Sequence, residues 1–219
     1  MPPDAPATPR PAATVILLRR GGEHNDRALE VLLGRRNLEA RFMPGVWVFP
    51  GGAVDEDDFA TAGDDSLDAE ERAHRACGVR EVAEEVGIEV AADDLRPWSR
   101  WITPEQVSIR FDTRFYVALA PPHSPPKPDG SETVDARWFE PREALDQHEA
   151  GEIKLVFPTI KHLESLLPYR TSEEALAAVT DLPPVPVLPR VVGGGDDVRI
   201  LLPGDEGFED APEFDNIQP

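Results

Sequence analysis

At 219 residues with 40% hydrophobic content, the chain holds enough apolar material for one buried domain with extensions. A net charge of −20 sets it against nucleic-acid backbones and anionic membrane surfaces, while a small polyphosphate remains acceptable where metal ions and local arginines reverse the sign. The single cysteine, Cys77, excludes an internal disulfide and fits a reducing cytoplasm, and no apolar run approaches the length of a membrane span.

Residues 1–12, rich in Pro and Ala, read as a disordered leader with neither the basic nor the apolar region of a signal peptide. Structure is expected to begin at Ala13. Residues 14–18 and 28–33 are β-branched or leucine-rich runs around a Gly-Gly-Glu-His-Asn-Asp turn, and 46–49 form a third short strand stopped by Pro50-Gly51-Gly52. After an acidic loop, Ala69, Ala73, Ala76, Val79, Ala83 and Val86 recur at helical spacing over 67–86. Asp65 or Ser66 can cap that helix, and Gly87 can end it. Strands follow at 115–119 and 136–139. Helices are expected at 141–149, at 158–167 and from Thr171, where Thr171 and Glu174 have capping-box spacing. Beyond residue 180 a Pro-rich acidic extension, 181–219, carries two apolar runs, 187–192 and 198–202, that suggest a hairpin. Strands interleaved with helices predict an α/β (α+β) sandwich, with a mixed sheet and its domain over 13–180.

The chemistry concentrates at Arg80-Glu81-Val82-Ala83-Glu84-Glu85-Val86-Gly87. On a helix, Glu81, Glu84 and Glu85 project within an arc of about 100°. That placement is unfavourable: like charges at i, i+4 cost about 0.2–0.5 kcal/mol per pair, and the negative end of the helix dipole adds about 0.3–1 kcal/mol per charge. Arg80 offsets only part of it. A hard divalent cation such as Mg²⁺ or Mn²⁺ removes the conflict and keeps coordination positions open for phosphate oxygens. Gly51 and Gly52 lack side chains that would keep a bound phosphate from the backbone.

These residues resemble the Nudix hydrolases, whose signature runs G-x5-E-x7-R-E-U-x-E-E-x-G-U with U aliphatic; residues 80–88 match its second half throughout. Gly52 lies 28 residues before Arg80 where the signature asks for 14, and counting back from Arg80 to the upstream glutamate lands on Arg72, with Glu70 and Glu71 beside it. The lengthened box resembles the coenzyme A and acyl-CoA diphosphatase branch, as do 42–52, 101–104 and 110–115, and residues 32–36 with Arg41 and Gly45 approximate its coenzyme A motif. The resemblance implies an α/β/α sandwich and hydrolysis of a diphosphate linked to another moiety, on Mg²⁺ or Mn²⁺ held by Glu81, Glu84 and Glu85. It also implies that Arg80 orients those glutamates, and that Glu81 or Glu132 serves as general base. Arg36, Arg41, Phe42, Gly51 and Gly52 are the expected substrate contacts, and a homodimer is expected by family analogy. Coenzyme A or an acyl derivative is the first substrate implied; ADP-ribose, a dinucleotide or a nucleotide sugar is the second, and a nucleotide sensor without turnover is the third reading.

Overall fold

The computed structural model describes residues 6–21, 28–40, 43–60, 67–180, 182–193 and 197–211. In chain order it contains β1 (Arg10–Arg20), β2 (Leu29–Arg36), β3 (Trp47–Val48), β4 (Gly51–Ala53), α1 (Glu56–Ala60), α2 (Ala69–Val86), β5 (Arg96–Ile102), β6 (Phe111–Leu119) and β7 (Thr133–Phe139). Then come α3 (Pro141–Glu149), α4 (Phe157–Leu166), α5 (Ser172–Ala177), β8 (Pro186–Val187), β9 (Arg190–Val192) and β10 (Arg199–Leu201).

The main sheet runs β3-β2-β1-β6-β5-β8, with β4 on β1 and β7 on β2. It is mixed: β1 pairs parallel with β6 and antiparallel with β2 and β4. Alternation along β1 feeds two cores. Ala13, Val15 and Leu17 pack towards α2 with Cys77, Val82 and Val86. Ile16 and Leu18 face the opposite side, with Phe49, Phe115, Ala144, Leu163 and Ala175. The result is the expected three-layer α/β/α sandwich. No helix among the described residues is long and apolar enough to cross a membrane.

Several expectations change at their edges. Part of the expected leader is ordered: β1 starts at Arg10 because its backbone pairs with β6 from Arg10 opposite Phe111, and the Arg110 guanidinium donates to the Ala7 carbonyl at 2.7 Å. The Pro50-Gly51-Gly52 turn continues into β4, laid on Ala12–Thr14. Strand β5, whose alternation is hidden by Pro97 and by arginines with long apolar stems, escaped the sequence reading. Helix α2 is capped by Asp68, whose side chain accepts from the Glu71 N–H, whereas Asp65 and Ser66 lie outside the described residues. Gly87 ends it in the left-handed conformation, φ 64°, as expected.

The buried stripe of α2 is also rotated from the expected one. It consists of Ala73, His74, Cys77, Gly78, Val82, Glu85 and Val86, so Ala69 and Ala83 face outward. Gly78 lets the helix approach β1, since a Cβ there would lie 2.9 Å from Val15 Cγ2. The C-terminal extension docks on the domain: β8 adds a parallel strand to the β5 edge, and β9 and β10 form the expected hairpin. Its Gly194–Asp196 tip lies outside the described residues.

Candidate active site

The close approach of α2 to β4 builds the site. Gly52 sits under Glu81, and a Cβ there would fall 2.2 Å from Glu81 Oε1. Gly51 sits over β1, where a Cβ would fall 2.4 Å from the Ala13 carbonyl, and its N–H donates to Glu85 Oε2 at 3.4 Å. The two glycines therefore let the carboxylates close on the strand. Cys77 lies beneath, fully buried, with its thiol on the carbonyls of Gly52 and Ala53 at 3.5 and 3.4 Å. Burial, with Asp58 and Glu81 nearby, pushes that thiol up to about 12, so it packs as an inert small residue.

Arg80 is the hub. Its guanidinium reaches Glu81 at 2.7 Å, Glu84 at 3.2 Å and both oxygens of Asp58 at 3.1 and 3.0 Å, with Asp55 at 3.7 Å. Asp58 is 3% exposed and completes this fork, a bidentate pair of the kind that fixes an arginine in one orientation. It corrects the sequence reading of the upstream acid. Arg72 instead donates to the Leu67 carbonyl at 2.5 Å, while Glu70 and Glu71 pair with Arg114 at 2.8 and 2.6 Å. Counting forward from Gly52, rather than back from Arg80, reaches Asp58 at the signature's own spacing. The lengthening therefore falls between Asp58 and Arg80, and a shorter acid replaces the glutamate.

The three glutamates divide by environment. The Glu84 side chain is 63% exposed, and Glu81 lies against Arg80. Glu85 is 5% exposed, and the long bond from Gly51 is the only hydrogen bond its carboxylate makes among the described residues. Burial, then the neighbouring Glu81 charge, pushes Glu85 up to about 8; burial also raises Glu81, against the pull of Arg80. As the side chains stand, no group of three or more His, Cys, Asp or Glu among the described residues is gathered to hold a metal ion. Arg80 engages Oε1 of Glu81 and Oε2 of Glu84, so the second oxygen of each carboxylate could hold one while Arg80 keeps them oriented. The donor set suits a hard divalent cation, and a buried carboxylate with no ion pair among the described residues is the observation that fits it best.

These groups line a cavity of about 920 Å³. Its other walls carry Arg36 and Arg10 from the strands and Asp129, Ser131 and Glu132 from the loop before β7. Arg36 makes no ion pair among the described residues, and its buried Nε has no hydrogen-bond partner. The loop is pinned at both ends: Lys127 and Asp129 N–H groups donate to the Val86 and Glu85 carbonyls at 2.8 and 3.2 Å, occupying carbonyls at the end of α2, and the Asn37 N–H and side-chain amide donate to the Glu132 and Ser131 carbonyls at 2.8 Å each. Asp129 accepts from the N–H groups of Ser131, Glu132 and Thr133 and from the Ser131 hydroxyl. Burial opposes its ionisation, yet those donors bring its carboxyl down to about 2. The structure thus brings Arg36, Gly51, Gly52, Arg80, Glu81, Glu84, Glu85 and Glu132 around one cleft. Arg41 and Phe42 lie outside the described residues.

The NUDIX domain family matches residues 8–157. A Caenorhabditis elegans protein named nudix hydrolase 7 is 29% identical over 192 residues, covering 72% of this chain and 60% of that protein, so the chain spans only part of that relative's length. The acyl-coenzyme A diphosphatase NUDT19 of Xenopus laevis is 23% identical over 283 residues, covering 88% of this chain and 74% of that protein. The crystal structure of a NUDIX hydrolase from Alicyclobacillus acidocaldarius superposes with a TM-score of 0.66 at 28% identity, covering 80% of this chain and 99% of the other. The family match spans both halves of the box and more than half of the chain, so the chain belongs to the NUDIX family.

Proposed function

We propose that the protein is a divalent-metal-dependent diphosphatase. It hydrolyses the diphosphate bond of a nucleoside diphosphate linked to another moiety, with coenzyme A or an acyl-coenzyme A as the first substrate. The observation that carries this reading is the buried Glu85 carboxylate, which makes no ion pair among the described residues, set beside Glu81 and Glu84 in a cleft whose other wall carries Arg36, likewise without an ion pair among them. The substrate choice is supported by the similarity to the Xenopus laevis acyl-coenzyme A diphosphatase.

Glu81, Glu84 and Glu85 are the residues that would hold Mg²⁺ or Mn²⁺, which supplies charge neutralisation at the diphosphate and a water of lowered pKa. The chain's own groups do the rest. Arg80, clamped by Asp58, sets the orientation of Glu81 and Glu84. Arg36 pairs with the phosphate oxygens. Glu81, or Glu132 from the pinned loop, takes the proton of the water that attacks one phosphorus; the other phosphate leaves with the bridging oxygen. With coenzyme A the products are adenosine 3′,5′-bisphosphate and 4′-phosphopantetheine.

The test is turnover of a diphosphate panel containing coenzyme A, an acyl-coenzyme A, ADP-ribose, NADH and a nucleotide sugar, with Mg²⁺ or Mn²⁺, by the wild type and by Glu85→Gln. The variant is expected to lose at least about 100-fold in kcat, the scale of removing one electrostatic stabiliser from an active site. Unchanged turnover would sink the metal assignment, and preference for ADP-ribose over coenzyme A would overturn the substrate.

A further inference from the structure

Arg35 and Arg36 are neighbours in β2 and, among the described residues, are the two arginines whose buried Nε has no hydrogen-bond partner. Arg36 lines the acidic cleft. Arg35 lines a separate cavity of about 310 Å³ together with Trp47 and Ile153, which belong to the core on the α3–α5 side of the sheet. Strand alternation explains the division: Leu32 packs on the α2 side and Leu33 on the other, so consecutive side chains of β2 leave by opposite faces. The proposed reaction uses Arg36 and leaves Arg35 without a task.

The Arg35 cavity is cationic, in a chain of net charge −20. Arg35, Arg137 and Lys154 line it against one acid, Glu152. Arg137 is held in place: its guanidinium pairs with Asp135 at 2.5 Å and lies over the Trp47 ring, 5.3 Å from its centroid. Lys154 is brought alongside because its carbonyl accepts from the Trp47 N–H at 2.8 Å, which fixes that loop to β3. Neither the Arg35 nor the Lys154 side chain makes a hydrogen bond or ion pair among the described residues. Like charges gathered at one cavity repel one another, and a buried donor without an acceptor loses its hydration for nothing. An anion removes both costs, as a cation does for the carboxylate run of α2.

We infer that this cavity is a second anion site, separate from the acidic cleft, which takes the phosphate of a small phosphomonoester. Arg35 receives the phosphate through paired N–H···O bonds, and Lys154 adds a point charge. Leu38, 65% exposed at the cavity, gives the carbon part of the ligand an apolar edge to rest on. Bare phosphate shares the anionic chemistry and makes no use of that edge. The site stands on the α3–α5 side of the sheet and does not depend on the diphosphatase reading.

The experiment is isothermal titration calorimetry on the full chain in metal-free buffer at fixed ionic strength, with ribose 5-phosphate and, separately, inorganic phosphate. Without divalent metal the cleft presents its carboxylates to an incoming anion and repels it. One saturable site is expected for ribose 5-phosphate, with Kd at least about threefold below that for phosphate. Arg35→Met should raise Kd at least about tenfold, the scale of a hydrogen bond to a charged group, and Lys154→Met about threefold. Arg36→Ala should leave Kd unchanged. No saturable binding, or binding that Arg36→Ala removes and Arg35→Met keeps, would overturn the site. Equal affinity for both ligands would overturn the phosphomonoester in favour of the free anion. Should Arg35→Met fail to fold, Lys154→Glu on the exposed loop carries the same contrast: a Kd at least about tenfold higher supports the site, and an unchanged Kd refutes it.

Discussion

Among the titratable groups that the sheet buries on its two faces, His162 and Glu85 are treated in opposite ways. On the α3–α5 face His162 is fully provided for. The Pro158 carbonyl can only accept, so Nδ1 carries the proton and donates to it at 2.6 Å, while Nε2 accepts from the Ser99 hydroxyl at 2.6 Å. Its ring stacks on Phe115 with centroids 4.0 Å apart. On the α2 face Glu85 is also buried, but its carboxylate keeps a single 3.4 Å bond among the described residues. Burial holds His162 down to about 4 and pushes Glu85 up to about 8. A buried polar group with every valence met is part of the architecture, and one left wanting a counter-charge marks where a ligand belongs.

The largest effect that sharpens this contrast is on stability. His162 has a folded pKa of about 4 against 6.5 unfolded, so only the unfolded chain takes up a proton between them. Its contribution is intact above pH 6.5 and is lost as pH falls towards 4, amounting to about 3 kcal/mol. The difference between wild-type and His162→Phe urea-unfolding free energies across that window measures it; a difference that does not change with pH would break the comparison. Next, Mg²⁺ or Mn²⁺ at 100 times its dissociation constant should stabilise the wild type by about 2.7 kcal/mol. Glu85→Gln should lose most of that gain, and calorimetric scans with and without metal give the answer. Asp58→Asn should lower kcat about 10- to 100-fold through Arg80, the scale of disturbing residues that orient metal ligands, with partial recovery in Asp58→Glu. Equal damage from both substitutions would instead mean a packing role. The smallest expected effect belongs to the opposite wall: Arg36→Ala should raise KM about tenfold with little change in kcat, the scale of one charge-assisted hydrogen bond.

The helices were legible where local chemistry decides them. Residues 141–149 form α3 as expected, and the Thr171 hydroxyl accepts from the Glu174 N–H at 3.1 Å as its capping-box spacing predicts. The unfavourable carboxylate run of α2 was legible for the same reason, because i, i+3 and i+4 spacing fixes angular position on any helix. Legibility failed where a partner lies far along the chain. The acid that holds Arg80 comes from α1, 22 residues upstream, and the sequence count taken from the wrong end pointed to Arg72. Strand β4 was hidden because Gly51 and Gly52 carry no side-chain pattern, although a Cβ at either would collide with β1 or Glu81.

The sequence by itself determined the charge balance, the stop at Gly87, the carboxylate face of one helix and the alternation that makes a two-sided sheet, all of which follow from spacing within a few residues. Only the tertiary structure decided which face of α2 is buried, and so that Glu85 rather than Glu84 loses its water. It also decided that Asp58 closes on Arg80 and that the C-terminal hairpin lands beside the cleft. Those outcomes depend on contacts between residues distant along the chain, where the cost of closing a loop rises only slowly with its length, so many closures are open and packing selects among them.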